Sequence, residues 1–203
     1  ILAGLAASFP DVPVVAEEEA AAGRIPDISS VAFFLVDPLD GTKEFISGRP
    51  DFTVNIALVK DGVPLAGVVY APARAAIYSG CPQGAEKADV LAGGRIVNRK
   101  TIKGSKPEAK VRIVASKSHN TPETDDFIAR YPDSERVSVG SSLKFCLLAE
   151  GAADLYPRFG RTMEWDTAAG HAVVLAAGGV VVKPDGLPFL YAKVDQDFRN
   201  GPF

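Results

Sequence analysis

Apolar residues recur along this chain in two spacings, one of strands and one of helices. Val31-Ala32-Phe33-Phe34-Leu35-Val36 is a continuous apolar run, β-branched and aromatic, broken by Pro38 and Gly41. It predicts a buried strand over residues 31–36. Residues 53–59 alternate toward a second strand, Lys60-Asp61-Gly62 is a turn, and residues 65–70 form a third. Together residues 52–70 predict a hairpin. Ala76 to Ser79 adds a further strand, and Pro10 to Val15 a short one that runs into Glu17-Glu18-Glu19. Residues 20–30 read as a loop, and residues 84–108, rich in Gly, Lys and Arg, carry no readable pattern.

The later part of the chain alternates. Val111 to Ala115 reads as a strand that opens a second half. Thr121-Pro122-Glu123-Thr124 is a helix start, with Thr as N-cap, Pro just inside and acid in the first turn. Leu143 to Glu150 is helical, ended by Gly151. Asp154 to Tyr156 reads as a short strand, Asp166 to Ala177 as a small-residue helix closed by Gly178-Gly179, and Val180 to Val182 as a last strand. Hairpins first, then strands alternating with helices, favour a layered mixed α and β architecture over one doubly wound sheet.

Composition narrows the function classes. The chain has 203 residues, 47% of them hydrophobic, enough for a large core in one domain or two small ones. Net charge is −3 with acids and bases mixed and no basic stripe, which argues against a nucleic-acid polymer as partner but leaves room for a small phosphorylated ligand. Cys81 and Cys146 lie far apart and outside any CxxC pair, so free thiols in a reducing cytosol are expected. With two histidines, zinc has little to hold it. No apolar run approaches the roughly 20 residues of a membrane span, and no signal peptide is visible. Ile1 to Ala6 reads like the tail of a helix, so the numbering is expected to begin inside the natural chain.

The candidate chemistry lies in Asp37-Pro38-Leu39-Asp40-Gly41-Thr42-Lys43-Glu44-Phe45. A strand delivers two carboxylates, three positions apart, onto a turn shaped by Pro38, so that Asp37 and Asp40 face one side. Leu39 can lend its carbonyl oxygen. Gly41 permits a close ligand approach, and Thr42 offers a hydroxyl where a short helical turn begins, with N–H groups open to a phosphate oxygen. Glu17 and Asp166 are further acids at element ends. Magnesium needs only a few carboxylates aimed at one point, because it keeps several waters. Each feature has a plainer reading. Asp-Pro-Leu-Asp-Gly suits a surface turn, Glu17-Glu18-Glu19 a solvated charge run, and Asp166 the first turn of any helix. His119 reads equally as a loop histidine, Lys144 and Arg158 as surface cations, His171 as structural and Trp165 as a core anchor that places Asp166.

Three segments in order, Glu17-Glu18, Asp37 to Thr42, and Trp165-Asp166-Thr167-Ala168-Ala169-Gly170, resemble the signatures of the lithium-sensitive, magnesium-dependent phosphomonoesterases of the inositol monophosphatase superfamily. Lys43-Glu44-Phe45, Gly140 to Cys146 and Leu155 to Gly160 are most similar to its bacterial 3'(2'),5'-bisphosphate nucleotidases. The resemblance implies an α+β/α/β layered sandwich of the sugar-phosphatase type, lacking its N-terminal helices. Residues 1–110 would be a metal-binding α+β domain, incomplete at its start, and residues 111–203 an α/β substrate-binding domain. Two or three Mg²⁺ ions would be held by Glu17, Asp37, the Leu39 carbonyl, Asp40 and Asp166. Glu17, Thr42 and Asp40 would be catalytic, with Glu17 and Thr42 orienting the attacking water. Gly41, Thr42 and Asp166 would meet the phosphate side of the substrate, and His119, Ser141, Lys144 and Arg158 the nucleotide.

The expected reaction is hydrolysis of the 3'-phosphate of adenosine 3',5'-bisphosphate, or of 3'-phosphoadenylyl sulfate, by a metal-activated water. Two alternatives stay open at this point: the same chemistry on inositol 1-phosphate or a sugar phosphate, and an inactive nucleotide-sensing protein. The implied setting is the cytoplasm, including the inner face of the cell membrane. The protein would act as a monomer or homodimer with a small nucleotide as partner.

Overall fold

The computed structural model describes residues 1–29, 31–107, 110–116 and 120–203. The chain opens with helix α1 (Leu2–Ser8), which buries no side chain. Strand β1 (Val14–Ala16) leads directly into the short helix α2 (Glu17–Ala21), and β2 (Phe33–Asp40) leads into α3 (Thr42–Ile46). A meander follows: β3 (Thr53–Lys60), β4 (Val63–Ala71), β5 (Ala76–Cys81), β6 (Gly84–Val90) and β7 (Ile96–Ile102). These seven strands form one sheet in sequence order, with β1 parallel to β2 and every later pair antiparallel. Beyond it, β8 (Arg112–Ala115), helix α4 (Pro122–Ile128) and β9 (Glu135–Ser138) make a small parallel unit. Helices α5 (Leu143–Ala149) and α6 (Glu164–Ala176), with the short antiparallel pair β10 (Thr162–Met163) and β11 (Arg199–Asn200), complete the fold.

The main core lies between the sheet and α6, which packs across β2 to β6 and against α5. The small residues of α6 explain how close it comes. A Cβ on Gly67 of β4 would stand 2.4 Å from the Ala169 carbonyl oxygen, and one on Gly80 of β5 would stand 2.6 Å from the Val173 Cα. On the other side of the helix, a Cβ on Gly170 would meet the Phe145 ring at 2.6 Å. Glycine and alanine here let backbone approach backbone, and dispersion contacts replace the missing side chains. In β3 the alternation is complete: Thr53, Asn55, Ala57 and Val59 are buried under α6 and α5, and Val54, Ile56 and Leu58 sit half-buried on the opposite face.

Several expectations hold. The 52–70 hairpin forms, and its turn places both Asp61 and Gly62 at positive φ, as a two-residue hairpin connection requires. Thr121 caps α4 and accepts from the Thr124 N–H at 3.4 Å. Gly151, at φ +71, follows α5. Cys81 and Cys146 are free thiols, the latter fully buried. Other readings need correction. The strand expected over 31–36 runs on through Pro38 to Asp40, and Val31 is 45% exposed outside it. Glu17-Glu18-Glu19 is the first turn of α2, within the stretch read as strand end and loop. The unread 84–108 stretch contains β6 and β7, whose partly exposed, charged outer positions blur the alternation. Asp154 to Tyr156 contributes only an isolated bridge between Ile113 and Leu155. Val180 to Val182 is no strand: it contributes only an isolated antiparallel bridge between Val182 and Pro188, and Val180 is 74% exposed. Among the described residues no helix is long and apolar enough to cross a membrane.

Candidate active site

Strand register explains how distant acids meet. In the parallel pair, Ala16 lies opposite Val36, so the next residues, Glu17 and Asp37, leave the sheet side by side. Across β3, Asp37 pairs with Asn55 and Asp40 with Thr53, so three steps on β2 answer two on β3. In a regular strand, residues three apart point to opposite faces. The one-residue bulge at Pro38-Leu39 restores the parity, and Asp37 and Asp40 share the face of Asn55 and Thr53. Pro38 suits this place because a bulge leaves one N–H without a ladder partner. The expected turn is therefore a bulged strand end, and the shared orientation comes from the extra residue.

Asp37, Asp40 and Asp166 are each held by donors to one oxygen. Asp37 Oδ1 accepts the Leu39 N–H at 2.9 Å. Asp40 Oδ2 accepts from Ser142 N at 2.7 Å, Thr53 Oγ1 at 3.2 Å and Asn55 Nδ2 at 3.3 Å. Asp166 is the third residue of α6, and its Oδ2 accepts the Met163 N–H at 2.7 Å, closing the helix start. Asp37 is pushed up to about 9, by burial first and then by the charges of Asp40 and Glu17. Asp166 rises to about 7, from burial and then Asp40. Glu17 is raised by burial, partly offset by a hydrogen bond with Asp37. These are like charges crowded in a poorly solvated place, and they take up protons because nothing else neutralises them.

Gly41 and Thr42 border the same cleft. Gly41 sits at φ +87 and precedes α3. A Cβ there would fall 3.0 Å from the Asp51 carbonyl oxygen and 3.2 Å from Ser141 Cβ, so only glycine fits. Thr42 Oγ1 donates to the Leu39 carbonyl at 3.3 Å. The opposite wall is basic. Lys144 is buried, donates from Nζ to the Ser141 carbonyl at 2.6 Å and lies 5.5 Å from the Tyr156 ring centre. Burial lowers it to about 8, against the opposing pull of Asp40. Arg158 donates from Nε to the Gly160 carbonyl at 3.1 Å. Ser141, at φ +52, shares a 2.6 Å hydroxyl contact with Thr53.

The cleft between these walls measures 310 Å³ and is lined by Asp40, Gly41, Thr42, Ser141, Lys144, Arg158 and Asp166 among others. Glu17 and Asp37 stand behind Asp40 and do not line it. Among the described residues, no three acidic, His or Cys side chains already converge as a preformed metal cluster. The four acids interact through charge, Glu17 also through a hydrogen bond with Asp37, and Asp37, Asp40 and Asp166 are each turned by donors of their own. His119 lies outside the described residues. The sequence reading missed Thr53, Asn55 and Ser142. A signal was present: Thr53 and Asn55 are polar on the inward side of an otherwise apolar alternation. It also missed Glu164, fully buried, which accepts the Ala192 and Lys193 N–H groups and anchors the C-terminal loop to α6. His171 is structural, as expected, hydrogen-bonded through Nδ1 to the Tyr191 hydroxyl at 3.0 Å. Trp165 is buried against Phe198.

Residues 1–200 match the sequence profile of the inositol monophosphatase family. The chain belongs to the inositol monophosphatase family. It is 44% identical over 201 residues to the 3'(2'),5'-bisphosphate nucleotidase CysQ of Escherichia coli strain K12, covering 99% of this chain and 78% of that protein. Among solved structures, CysQ from Bacteroides thetaiotaomicron superposes with a TM-score of 0.83 at 40% identity, over 97% of this chain and 77% of that one. Inositol monophosphatase from Anabaena superposes with a TM-score of 0.78 at 28% identity, over 98% of this chain and 75% of that one. The layered α/β architecture, with its mixed seven-stranded sheet, is thus the fold of this family. The inositol monophosphatase family is a family of metal-dependent phosphatases, usually using Mg²⁺. The donor set here suits that metal: hard carboxylate oxygens, three of them on side chains held through the other oxygen, and crowded enough to retain protons.

Proposed function

We propose that this chain is a magnesium-dependent 3'(2'),5'-bisphosphate nucleotidase. It removes the 3'-phosphate of adenosine 3',5'-bisphosphate, giving AMP and inorganic phosphate, and acts likewise on 3'-phosphoadenylyl sulfate. The observation that carries this reading is one cleft with two unlike walls. One wall holds Asp40 and Asp166, backed by Asp37 and Glu17, and the other holds Lys144 and Arg158. Identity to the nucleotidase relatives over nearly the whole chain supports the choice of substrate.

Glu17, Asp37, Asp40, Asp166 and the Leu39 carbonyl would hold two or three Mg²⁺ ions. Bound there, the ions supply charge neutralisation for the phosphoryl oxygens and acidity for water. The chain's own residues do the rest. Thr42 directs its hydroxyl proton at the Leu39 carbonyl, so its lone pairs face outward and accept a hydrogen bond from the attacking water. Glu17, made a stronger base by burial, accepts the proton that the water loses. Gly41 and Thr42 offer N–H groups at the open first turn of α3 to a phosphoryl oxygen. Lys144 and Arg158 hold the nucleotide's anionic groups, with Ser141 beside them. In this reading residues 1–110 supply all the metal ligands but Asp166, and residues 111–203 supply Asp166 and the nucleotide contacts. Two free thiols suit a reducing cytoplasm.

The test is phosphate release from adenosine 3',5'-bisphosphate, 3'-phosphoadenylyl sulfate, inositol 1-phosphate and a sugar phosphate, with and without Mg²⁺ and Li⁺. The expected result is Mg²⁺-dependent, Li⁺-inhibited release that is fastest from the two nucleotides. Preference for inositol 1-phosphate, or nucleotide binding with no release, overturns the reading.

A further inference from the structure

Ser142 joins the two elements that bring acids into the cleft. Its N–H donates to Asp40 Oδ2 at 2.7 Å, and its hydroxyl donates to the Asp166 carbonyl oxygen at 2.6 Å. That hydroxyl also accepts from Asn55 Nδ2 at 2.9 Å, and the same amide nitrogen reaches Asp40 Oδ2 at 3.3 Å. Ser142 is 2% exposed and Asn55 is 0% exposed. The orientation of the Asn55 amide is forced. Asp40 can only accept, and the Ser142 hydroxyl has committed its proton to Asp166, so both neighbours require a donor. The amide oxygen is left buried with no hydrogen-bond partner, a cost of about 1–3 kcal/mol in general terms. A buried orphan oxygen is retained where the donor end of the same group does something a hydrophobe cannot.

We infer that Ser142 and Asn55 are positioning residues for the metal site: together they fix the Asp40 carboxylate and the start of α6 in one geometry. This deepens the reading given above and rests on it. The four residues of this network come from four places, the end of β2, β3, the entry to α5 and the start of α6, so no local sequence rule would group them. The physical effect is to tie Asp40 Oδ2 to neutral donors and so hold its other oxygen in a constant direction. Donors behind a ligating carboxylate commonly govern metal affinity by about ten- to a hundredfold. Leucine at position 55 would fill similar space with no donor. Alanine at 142 would keep the N–H to Asp40 and lose only the hydroxyl bridge.

The experiment is Mg²⁺ and Mn²⁺ binding by titration calorimetry in the absence of substrate, on wild type, Ser142→Ala, Asn55→Leu and the double variant, with melting temperatures of the metal-free proteins alongside. Expected are weaker metal binding by about tenfold or more in each single variant and a double variant no worse than about threefold beyond the weaker single, because both act through one carboxylate. Ser142→Thr, which keeps the hydroxyl, should restore affinity to within about threefold of wild type. Ser142→Ala is the mild variant and decides the matter if Asn55→Leu does not fold. Metal affinity unchanged within twofold in folded Ser142→Ala, with only a lower melting temperature, assigns a purely structural role and overturns the inference. Failure of wild type to bind either metal overturns the inference and the metal-dependent reading together, so the two failures are distinguishable.

Discussion

The two walls of the cleft are built by different means. The acidic wall rises from the sheet, where the parallel β1–β2 register and one bulge against β3 set Glu17, Asp37 and Asp40. The basic wall rises from the segments around α5 and after it, where Lys144 is directed by the Ser141 carbonyl and Arg158 by the Gly160 carbonyl. Strand register is shared by every rung of the ladder, so a carboxylate at its end is costly to displace. A side chain held by carbonyls of its own neighbourhood, as Lys144 and Arg158 are, is easier to move than a rung of a ladder. The comparison teaches that charge placement at the acidic wall is a property of the fold, and at the basic wall a property of individual side chains.

Breaking the acidic wall should have the largest effect. Asp37→Asn removes a carboxyl that can ionise to meet a cation, with almost no change of shape. Magnesium-dependent turnover should fall by about a thousandfold or more, while the metal-free melting temperature stays nearly equal at pH 7, where Asp37 already holds its proton, and rises relative to wild type at pH 9. Retained turnover measured by phosphate release would count against the acidic wall as the reacting centre. Lys144→Ala tests the other wall. Losing a charge-assisted contact should raise KM for the nucleotide by about ten- to a hundredfold, and should alter hydrolysis of a simple phosphate ester far less. Equal losses on both substrates would place Lys144 elsewhere in the reaction. Because burial brings Lys144 down to about 8, KM for the nucleotide should also climb as pH rises through that value.

Proton and metal should compete at the acidic wall. Asp37 and Asp166 are raised to about 9 and about 7 in the fold, whereas unfolded aspartates release their protons near 4. Their contribution to metal-free stability is therefore complete below about pH 4 and is lost as pH rises through about 7 and about 9. The melting temperature without metal should fall between pH 6 and pH 9, by about 5 °C or more, and added Mg²⁺ should restore it more at pH 9 than at pH 6. A metal-free melting temperature that rises over this range would contradict the crowded-acid picture. The smallest effect is expected from Arg158→Lys. It keeps the charge and loses the planar fork, so KM should rise by only about three- to fivefold; a hundredfold change would mean that Arg158 is held as rigidly as the acids.

Much of the site was legible in the residue order. Asp37 to Thr42 follows an apolar run, and the spacing of the acids with Gly41 and Thr42 pointed to the stretch that borders the cleft before any contact was known. The helix starts at Thr121 and Leu143 and the hairpin turn at Asp61-Gly62 were legible for the same reason, since each depends on residues within a few positions. The misreadings have physical causes too. Pro38 signals a turn locally, yet a bulge tolerates it just as well. Val180 to Val182 has strand composition, but its only pairing among the described residues is one bridge to Pro188, whose ring has no N–H to extend a ladder. In β6 and β7 the charged outer positions hide the alternation.

By itself the sequence determined which groups are present and where the chain turns, because propensity, capping and apolar periodicity act over short range. Only the tertiary structure decided that Asp37 and Asp40 face the same way, that Asn55 must donate to both Asp40 and Ser142, and that Ser142 reaches Asp166. Those facts depend on an extra residue in a ladder and on packing between segments far apart in the chain. No local rule contains them, since the hydrogen-bond partner of a buried group is chosen by whatever the fold brings next to it.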